Sequence, residues 1–439
     1  MMDGMEIYSL KNINSRLRNS KLFQSFLITA VGSGLSKVIL ILGTFYCTNT
    51  LTKLEFGEYS FIRNTLTMVL TICASNFSSL CTKFAAEAPN SIASQKRLLL
   101  LFLFSLFVCI IFGFTLEILP APILLQLLGT QESINYFRIA GMLMPLFMLQ
   151  PLLEGILRGR MHFKIVSWLQ VLSSLMYVIT LIAGIQISGV DGAVWGLYLY
   201  YTLYAVVSLT AIFCQEHPIQ VLRSLSGFWE EYRSIFKMVL PVFILSFVEA
   251  PIFWYLQVLL TRYSSAEAVG SMTVMKQVRN LALLVPNYFF TTYIAFAGKM
   301  NAEHQYKDYF AQFDRLIKWF LSLGIGMATL ISLLCQPILY LFGREYIQDW
   351  PVLIICSLGI PISLMMSLIK QSLILQEHQQ ELMGISIVWN ILWIVFFYIL
   401  VQWGLGSLSA FFYSEIAAWL INLGFSAWLY YRDQKYLLG

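Results

Sequence analysis

Long apolar stretches separated by short polar connections recur along nearly the whole chain, and they constrain its fold more than any other feature. About 20 apolar residues in helical form cross the hydrocarbon core of a bilayer, and a spanning segment must satisfy its own backbone hydrogen bonds. The stretches are continuous rather than alternating, which argues against a porin-type barrel. Only 12% of the residues are charged, against about 25% in a typical soluble domain. We therefore predict an all-α, polytopic membrane protein and exclude a soluble globule, a coiled coil and a disordered chain.

Hydropathy divides the chain into twelve predicted transmembrane helices. The two longest connections lie at about 215–234 and 297–314, so no large extramembrane domain is expected. The predicted spans are 22–48, 59–82, 98–119, 134–157, 165–187, 190–214, 235–260, 268–296, 315–341, 350–375, 382–402 and 405–430.

The lysines and arginines in the connections and at the cytoplasmic ends of these spans are unevenly divided between the two sides of the membrane. With a cytoplasmic N-terminus, 19 of the 28 basic residues fall in cytoplasmic segments, and only Lys53, Arg262 and Arg344 fall in outer loops. Because cytoplasmic loops carry the excess of Lys and Arg in membrane proteins, this division predicts twelve spans with both termini in the cytoplasm. The cytoplasmic set is Lys11, Arg16, Arg18, Lys21, Lys83, Lys96, Arg97, Arg158, Arg160, Lys164, Arg223, Arg233, Lys237, Lys299, Lys307, Arg315, Lys318, Arg432 and Lys435.

The two halves of the chain resemble each other. Gly57 follows the first predicted span and Gly270 follows the seventh, and aligning these glycines also aligns Arg63 with Lys276. Six spans per repeat is an even number, so both halves have the same orientation and the axis that relates them runs along the membrane normal. The pattern predicts an internal six-plus-six repeat.

This repeat divides the chain into two predicted six-helix bundles. Residues 1–214 form the N-terminal bundle, 215–234 a cytoplasmic linker, and 235–439 the C-terminal bundle. Two such bundles can face each other across a central cavity and rock about it, which is the alternating-access geometry of transporters.

The chain carries no sequence pattern of a metal, cofactor or nucleic-acid site. Its seven cysteines lie in or at the ends of apolar segments without a Cys-x-x-Cys motif, as small buried hydrophobic residues do. The basic residues are spread over short loops and form no long run, so nucleic acid is not expected as a partner. We predict no bound metal and no cofactor.

Three motifs resemble those of a known family. The turn T-K-L-E-F-G-E-Y-S-F at 52–61 looks like a glycine-then-tyrosine turn of polysaccharide transporters. The run G-I-L-R-G-R-M-H-F-K at 155–164 is similar to their junction between helices 4 and 5, and G-V-D-G-A-V-W-G at 189–196 to their entry into helix 6. The chain thus resembles the polysaccharide transporter branch of the multidrug/oligosaccharidyl-lipid/polysaccharide (MOP) superfamily, which includes the Wzx O-antigen flippases.

The resemblance implies a MATE/MOP-like fold and a function. It implies that an undecaprenyl-pyrophosphate-linked oligosaccharide, such as the O-antigen unit of lipopolysaccharide, is flipped from the inner to the outer leaflet. It also implies a bacterial inner membrane, coupling by antiport to a proton or sodium gradient, and contact with membrane lipids. A polymerase and a chain-length regulator of the same pathway are the implied protein partners.

Six cations lie within or at the ends of predicted spans, where each costs about 2.5–3.5 kcal/mol unless it faces water or a partner. Lys276 and Arg279 share one helix face at i and i+3, and a phosphate-bearing substrate would offset their repulsion. The related flippases imply a cavity lined by basic residues of helices 1, 2 and 8. The alternative is that these cations snorkel or pair with acids. The candidate substrate-binding residues are Lys37, Arg63, Arg138, Lys276, Arg279 and Lys370.

Three carboxylates are candidates for ion coupling. Glu249 lies between two prolines, Pro241 and Pro251, which free backbone carbonyls and favour a kink. Glu154 precedes Arg158 by four residues, so it is either an intrahelical ion pair or a proton site. Glu415 in the last span is the third candidate.

Two other functions remain open from the sequence. A multidrug or cation antiporter of the same superfamily would need acids in its cavity, whereas the spans hold more cations than acids. A membrane glycan polymerase, ligase or acyltransferase would need catalytic groups on the outer face. The four histidines all fall in predicted cytoplasmic loops, and no metal-ligand cluster appears, so we predict that the protein is not an enzyme.

Overall fold

The computed structural model describes residues 21–87, 92–118, 131–215, 228–302, 305–376 and 378–438, and these residues form helices and short turns without a strand. The all-helical class predicted from hydropathy is confirmed. Two short 3-10 turns, Ser75–Phe77 and Arg344–Asp349, interrupt the helices. The α-helices are α1 Lys21–Thr50, α2 Lys53–Cys73, α3 Ser78–Glu87, α4 Ile92–Ile118, α5 Gln131–Phe147, α6 Leu149–Gly159, α7 Phe163–Gln215, α8 Phe228–Tyr263, α9 Ala266–Ala302, α10 Tyr306–Leu333, α11 Cys335–Phe342, α12 Trp350–Leu375, α13 Gln379–Gln402 and α14 Ser407–Leu438.

Two of the places where the helices depart from the predicted spans are the fourth span and the junction of the fifth and sixth spans. The fourth span is divided into α5 and α6 at Met148, where the backbone N–H still donates to the carbonyl oxygen of Met144 at 3.0 Å. Pro145 lies inside α5 and lacks the N–H that would bond to the preceding turn. The fifth and sixth spans form one long element, α7, with a sharp kink at Ser188 and Gly189. Gly189 has φ of 59°, a left-handed conformation that glycine adopts without steric cost.

Nine helical segments in the described residues are long and apolar enough to cross a membrane. One of them, 163–210, contains both predicted spans on either side of the kink. Helices α8 and α9, with 36 and 37 residues, also exceed the length that a bilayer requires. The chain is a multi-pass membrane protein, while the count of twelve spans stays a prediction.

We call α1–α7 the N-terminal half and α8–α14 the C-terminal half, and their division into two six-helix bundles stays a prediction. In the first, α1 packs on α7, α3 on α6 and α4 on α5; in the second, α10 packs on α12 and α13 on α14. Across the interface, α2 packs on α9, and α8 packs on both α2 and α4. Helices α2, α8 and α9 therefore form most of the boundary along which the halves meet.

Candidate transport site

One end of the interface between the halves is held by a polar cluster, which we call the Lys53 cluster. The Nζ atom of Lys53 lies 2.7 Å from Oδ2 of Asp349, and Ser271 Oγ donates a hydrogen bond to the same oxygen at 2.6 Å. The backbone N–H of Lys53 donates to Oε2 of Glu345 at 3.0 Å. All four residues lie in or beside predicted outer loops, so this end corresponds to the predicted outer side.

The start of α2 explains why Lys53 is fixed there. Thr52 caps the helix and forms a capping box with Glu55, because each side chain accepts a hydrogen bond from the backbone N–H of the other;. The first N–H groups of a helix have no intrahelical acceptor, and the N-terminus favours negative charge. Glu345 of the C-terminal half supplies an acceptor for the N–H of Lys53, so the two halves complete one helix terminus together.

Close backbone packing continues the contact beyond the Lys53 cluster. A Cβ atom built on Gly57 of α2 would lie 2.0 Å from the carbonyl oxygen of Ala266, and one built on Gly270 of α9 would lie 3.3 Å from Cα of Gly57. At Gly57 only glycine permits this approach. Phe45 also meets Phe342 edge-on, with 4.6 Å between ring centroids.

Two pockets lie between the halves, further along the same helices. One, of about 250 Å³, is lined by Lys37 of α1 and by Gln277, Asn280 and Asn287 of α9. The other, of about 280 Å³, is lined by Asn64, Thr67 and Thr71 of α2 and by Ser246 and Phe253 of α8. Lys37 is exposed, and it lines a space between the halves.

Lys276 and Arg279 share a carboxylate that the sequence did not associate with them. The two terminal nitrogens of Arg279 donate hydrogen bonds to the carboxylate of Glu415, at 2.6 Å and 3.0 Å. The Nζ atom of Lys276 lies 3.4 Å from the same carboxylate. The sequence alone favours a phosphate as the group that offsets the repulsion of the two cations. In the structure α14 places Glu415 between them, so the carboxylate already offsets part of that repulsion.

Aromatic rings surround the ammonium group of Lys276. Its Nζ atom lies 3.8 Å from the ring centroid of Phe253, 5.1 Å from that of Phe411 and 5.3 Å from that of Trp393. Arg279 lies over Trp419, with Cζ 4.9 Å from the ring centroid. Cation–π contacts of this kind stabilise a charge that has left water.

Arg63, which the predicted repeat aligns with Lys276, lies among tyrosines of the N-terminal half. Its Cζ atom is 5.9 Å from the ring centroid of Tyr59, and the Tyr59 hydroxyl shares a hydrogen bond of 2.7 Å with Tyr177. Within the described part of the chain, no carboxylate lies at salt-bridge distance from Arg63. Arg63 and Lys276 each contact aromatic residues of their own half.

The two remaining cationic candidates, Arg138 and Lys370, do not line either pocket. Arg138 Nε on α5 is 4.0 Å from Oε2 of Glu117 on α4, a loose contact. Lys370 lies half-buried on α12.

The carboxylate candidates occupy different surroundings. Glu154 is buried, pairs with Arg158 at 2.8 Å and accepts a hydrogen bond from Tyr204 at 2.9 Å, so the intrahelical ion pair is present. Glu415 belongs to the cluster with Arg279. Glu249 lies on α8, but its side chain lies outside the described part of the structure.

The cysteines pack as the sequence predicts. Cys47, Cys73, Cys81, Cys109, Cys335 and Cys356 are buried free thiols, while the side chain of Cys214 lies outside the described part. Over the described ranges, no group of three or more His, Cys, Asp or Glu side chains is close enough to hold a metal ion.

The residues that join the two halves, and those that surround Lys276, were not predicted from the sequence. Asp349, Glu345 and Ser271 carry no motif, and the aromatic residues around Lys276 look like ordinary span residues. The capping box from Thr52 to Glu55 was the one available local signal, since a Thr three residues before a Glu marks a helix start.

Comparison with known proteins agrees with this architecture. Residues 22–294 match the family described as "Polysaccharide biosynthesis protein", and no curated protein matches the chain. A multidrug resistance MATE family transporter of the MOP superfamily is similar in its inward-facing conformation, with a TM-score of 0.72, 15% identity, and coverage of 93% of this chain and 98% of that chain. An outward-facing conformation of such a transporter gives a TM-score of 0.64 at 15% identity, covering 94% and 96%.

A third similar structure is a MOP superfamily transporter from Pyrococcus furiosus Vc1, described by a binding pocket of reverse polarity that suggests a different function. Its TM-score is 0.60 at 14% identity, with 97% and 98% of the two chains covered. The fold is that of the MATE and MOP transporters. The chain belongs to the polysaccharide biosynthesis protein family, which confirms the resemblance recognised in its motifs.

Proposed function

We propose that the protein is a flippase, not an enzyme, that moves undecaprenyl-pyrophosphate-linked oligosaccharide, such as an O-antigen unit of lipopolysaccharide, from the inner to the outer leaflet. It lies in a bacterial inner membrane with both termini in the cytoplasm, and it works by ion-coupled alternating access, in antiport with a proton or sodium. Membership of the polysaccharide biosynthesis family supports the substrate class. A polymerase and a chain-length regulator are its proposed pathway partners.

The single observation that carries this proposal is the arrangement of the interface between the halves. The Lys53 cluster holds the predicted outer end together, and polar pockets follow it along α1, α2, α8 and α9. An interface whose halves are joined at the predicted outer end suits the state that receives substrate from the cytoplasmic leaflet. The greater likeness to an inward-facing than to an outward-facing MATE structure supports the same assignment.

Positive charge along this interface suits a pyrophosphate. Lys37 lines one pocket, and Arg63 is one helical turn from Thr67, which lines the other;. Arginine and lysine are the side chains that bind phosphate oxygens most strongly. Lys276 and Arg279 add two positive charges against the single negative charge of Glu415, so the C-terminal half also attracts an anion. Arg138 and Lys370 remain candidates for contacts with the glycan or with lipid head groups.

Coupling to an ion gradient has three carboxylate candidates. Glu154 and Glu415 are buried beside cations, and Glu249 lies between prolines on α8. Movement of the ion would be linked to separation of the halves at the Lys53 cluster.

Reconstitution tests the proposal. The full chain is placed in vesicles with a fluorescent undecaprenyl-pyrophosphate oligosaccharide, and transfer between leaflets is followed by quenching from outside. We expect protein-dependent transfer that falls severalfold in Arg63→Ala and Lys37→Ala, and that is unchanged in Lys318→Arg, an exposed site on α10. Absence of transfer by the wild-type protein would refute the proposal.

The similar MATE structures make a multidrug or cation antiporter the competing function. Vesicles loaded with organic cationic dyes test it directly. Gradient-driven dye export without movement of the lipid-linked glycan would favour the antiporter and refute the flippase proposal.

A further inference from the structure

The cluster of Lys276, Arg279 and Glu415 carries an unbalanced charge. Two cations share one carboxylate, and both Arg279 and Glu415 are almost completely buried. A net charge away from water is expensive unless it is compensated. Release of one proton from the cluster would leave it neutral.

Only one member of the cluster can readily release that proton. Arg279 stays protonated in proteins, and it holds Glu415 with both arms of its guanidinium group. Lys276 makes a single, longer contact of 3.4 Å with the carboxylate. Lysine is also the cation that loses its proton most easily when it is buried.

The surroundings of Lys276 support both of its protonation states. Three aromatic rings, from Phe253, Trp393 and Phe411, stabilise the ammonium form;, whereas burial favours the neutral amine. Across the described residues, the titratable groups that act on Lys276 are Glu415 of α14, Arg279 of α9 and Cys356 of α12.

The side chain of Lys276 is 17% exposed, and it lies beside the pocket that Phe253 lines. Phe253 contacts Lys276 and lines this pocket between the halves together with Asn64, Thr67 and Ser246. A proton that leaves the ammonium group can pass to water in this pocket, and the nitrogen keeps the electron pair of the broken N–H bond. Because the pocket is built from both halves, its access to either side of the membrane depends on how they are arranged.

We propose that Lys276 is the site that binds and releases the coupling proton. This inference rests on the proposed function, because it chooses the proton over sodium and names its carrier. It moves the coupling role from the carboxylates to a lysine, and Glu415 becomes the partner that positions it.

Vesicles with an imposed gradient test this assignment. Flipping of the fluorescent lipid-linked oligosaccharide is compared with a pH gradient, with a sodium gradient and with neither. We expect flipping by the wild type to be severalfold faster with the pH gradient, and to be unchanged by the sodium gradient. Lys276→Arg keeps the charge but cannot release the proton, so its transfer should be the same in all three conditions. Lys318→Arg is the matched control and should respond as the wild type does.

Several outcomes would overturn the inference. One is a full response of Lys276→Arg to the pH gradient, and another is acceleration of the wild type by sodium alone. If Glu249→Gln loses the response to the pH gradient while Lys276→Arg retains it, the coupling proton binds at Glu249 on α8 and not at Lys276.

A second measurement separates this inference from the proposed function. If the wild type moves no lipid-linked oligosaccharide, the flippase proposal fails, and proton binding is still measurable in detergent. Trp393 lies 5.3 Å from Nζ of Lys276, so tryptophan emission should titrate with pH. That titration should be lost in both Lys276→Met and Trp393→Phe. A titration that persists in folded Lys276→Met would overturn the assignment of Lys276.

Discussion

Gly57 of α2 and Gly270 of α9 pack against each other across the interface between the halves, and they are also the two residues that the predicted internal repeat aligns. Equivalent positions of a repeat meet in this way only near the axis that relates the two halves. The contact therefore locates the axis of the predicted pseudo-symmetry beside the Lys53 cluster.

The two glycines should respond unequally to a methyl group. In Gly57→Ala the new Cβ would lie 2.0 Å from a backbone oxygen, whereas in Gly270→Ala the nearest atom is 3.1 Å away. Overpacking costs about 1–3 kcal/mol, so we expect Gly57→Ala to lower the apparent melting temperature in detergent clearly more than Gly270→Ala does. Gly424→Ala, with open space around it, is the control. Equal melting of all three variants would contradict the close contact.

Reversal of charge tests the ion pair at the Lys53 cluster. Lys53→Asp places two acids together and should increase hydrogen–deuterium exchange in 341–349, since that segment loses its attachment to α2. The double variant Lys53→Asp with Asp349→Lys should recover part of the protection. We expect a coupling energy of about 1 kcal/mol, as for partly exposed pairs. The backbone contact between Lys53 and Glu345 should survive in every variant, so a complete loss of protection is not expected.

Removal of one partner from the buried cluster should destabilise the protein. Arg279→Ala removes both hydrogen bonds of the guanidinium group and leaves the buried Glu415 with only the longer contact to Lys276. A buried acceptor that loses its partner costs about 1–3 kcal/mol. Adding Glu415→Gln should restore much of the stability, measured as protein recovered in the membrane and as melting temperature. If Arg279→Ala is fully stable and Glu415→Gln adds nothing, the pair is not part of the folded state.

Arg279→Lys and Arg279→Glu then separate charge from geometry. Lysine keeps the charge but loses the two-pronged contact with Glu415, so partial glycan display is expected. Glutamate should be worse than alanine, because it repels both Glu415 and an anionic substrate. The measurement is surface glycan in a complementation assay, normalised to membrane protein. Full display by Arg279→Glu would exclude any role of this charge.

Reporter fusions test the predicted topology. Fusions in 83–97 and 297–314 should report a cytoplasmic location, and those in 120–132 and 342–349 an outer location. The second group includes the segment that holds Asp349, so an inverted result there would move the Lys53 cluster to the cytoplasmic side and reverse the assignment of the closed end.

The sequence was informative about helices and poorly informative about their partners. Continuous apolar runs fix the helical class because the bilayer permits few alternatives, and Gly189 marked the boundary between two spans. The break between α2 and α3 at Ala74 had no proline or glycine to predict it.

Side-chain partners depend on the rotation of each helix about its axis, which hydropathy does not determine. Arg279 and Glu415 are 136 residues apart, and both sit in apolar spans where each alone looks like a candidate for function. The sequence therefore identified the buried charges but separated the acid from the cations with which it pairs.

The kink at Ser188 and Gly189 has a consequence for the face that this protein presents on the predicted outer side of the membrane. The two arms of α7 meet so closely that a Cβ on Gly192 would lie 1.8 Å from the backbone oxygen of Gly184. Two helices turn back on each other there through only a pair of small residues. On the predicted outer side, this corner therefore offers almost no protruding loop for a periplasmic protease to cleave.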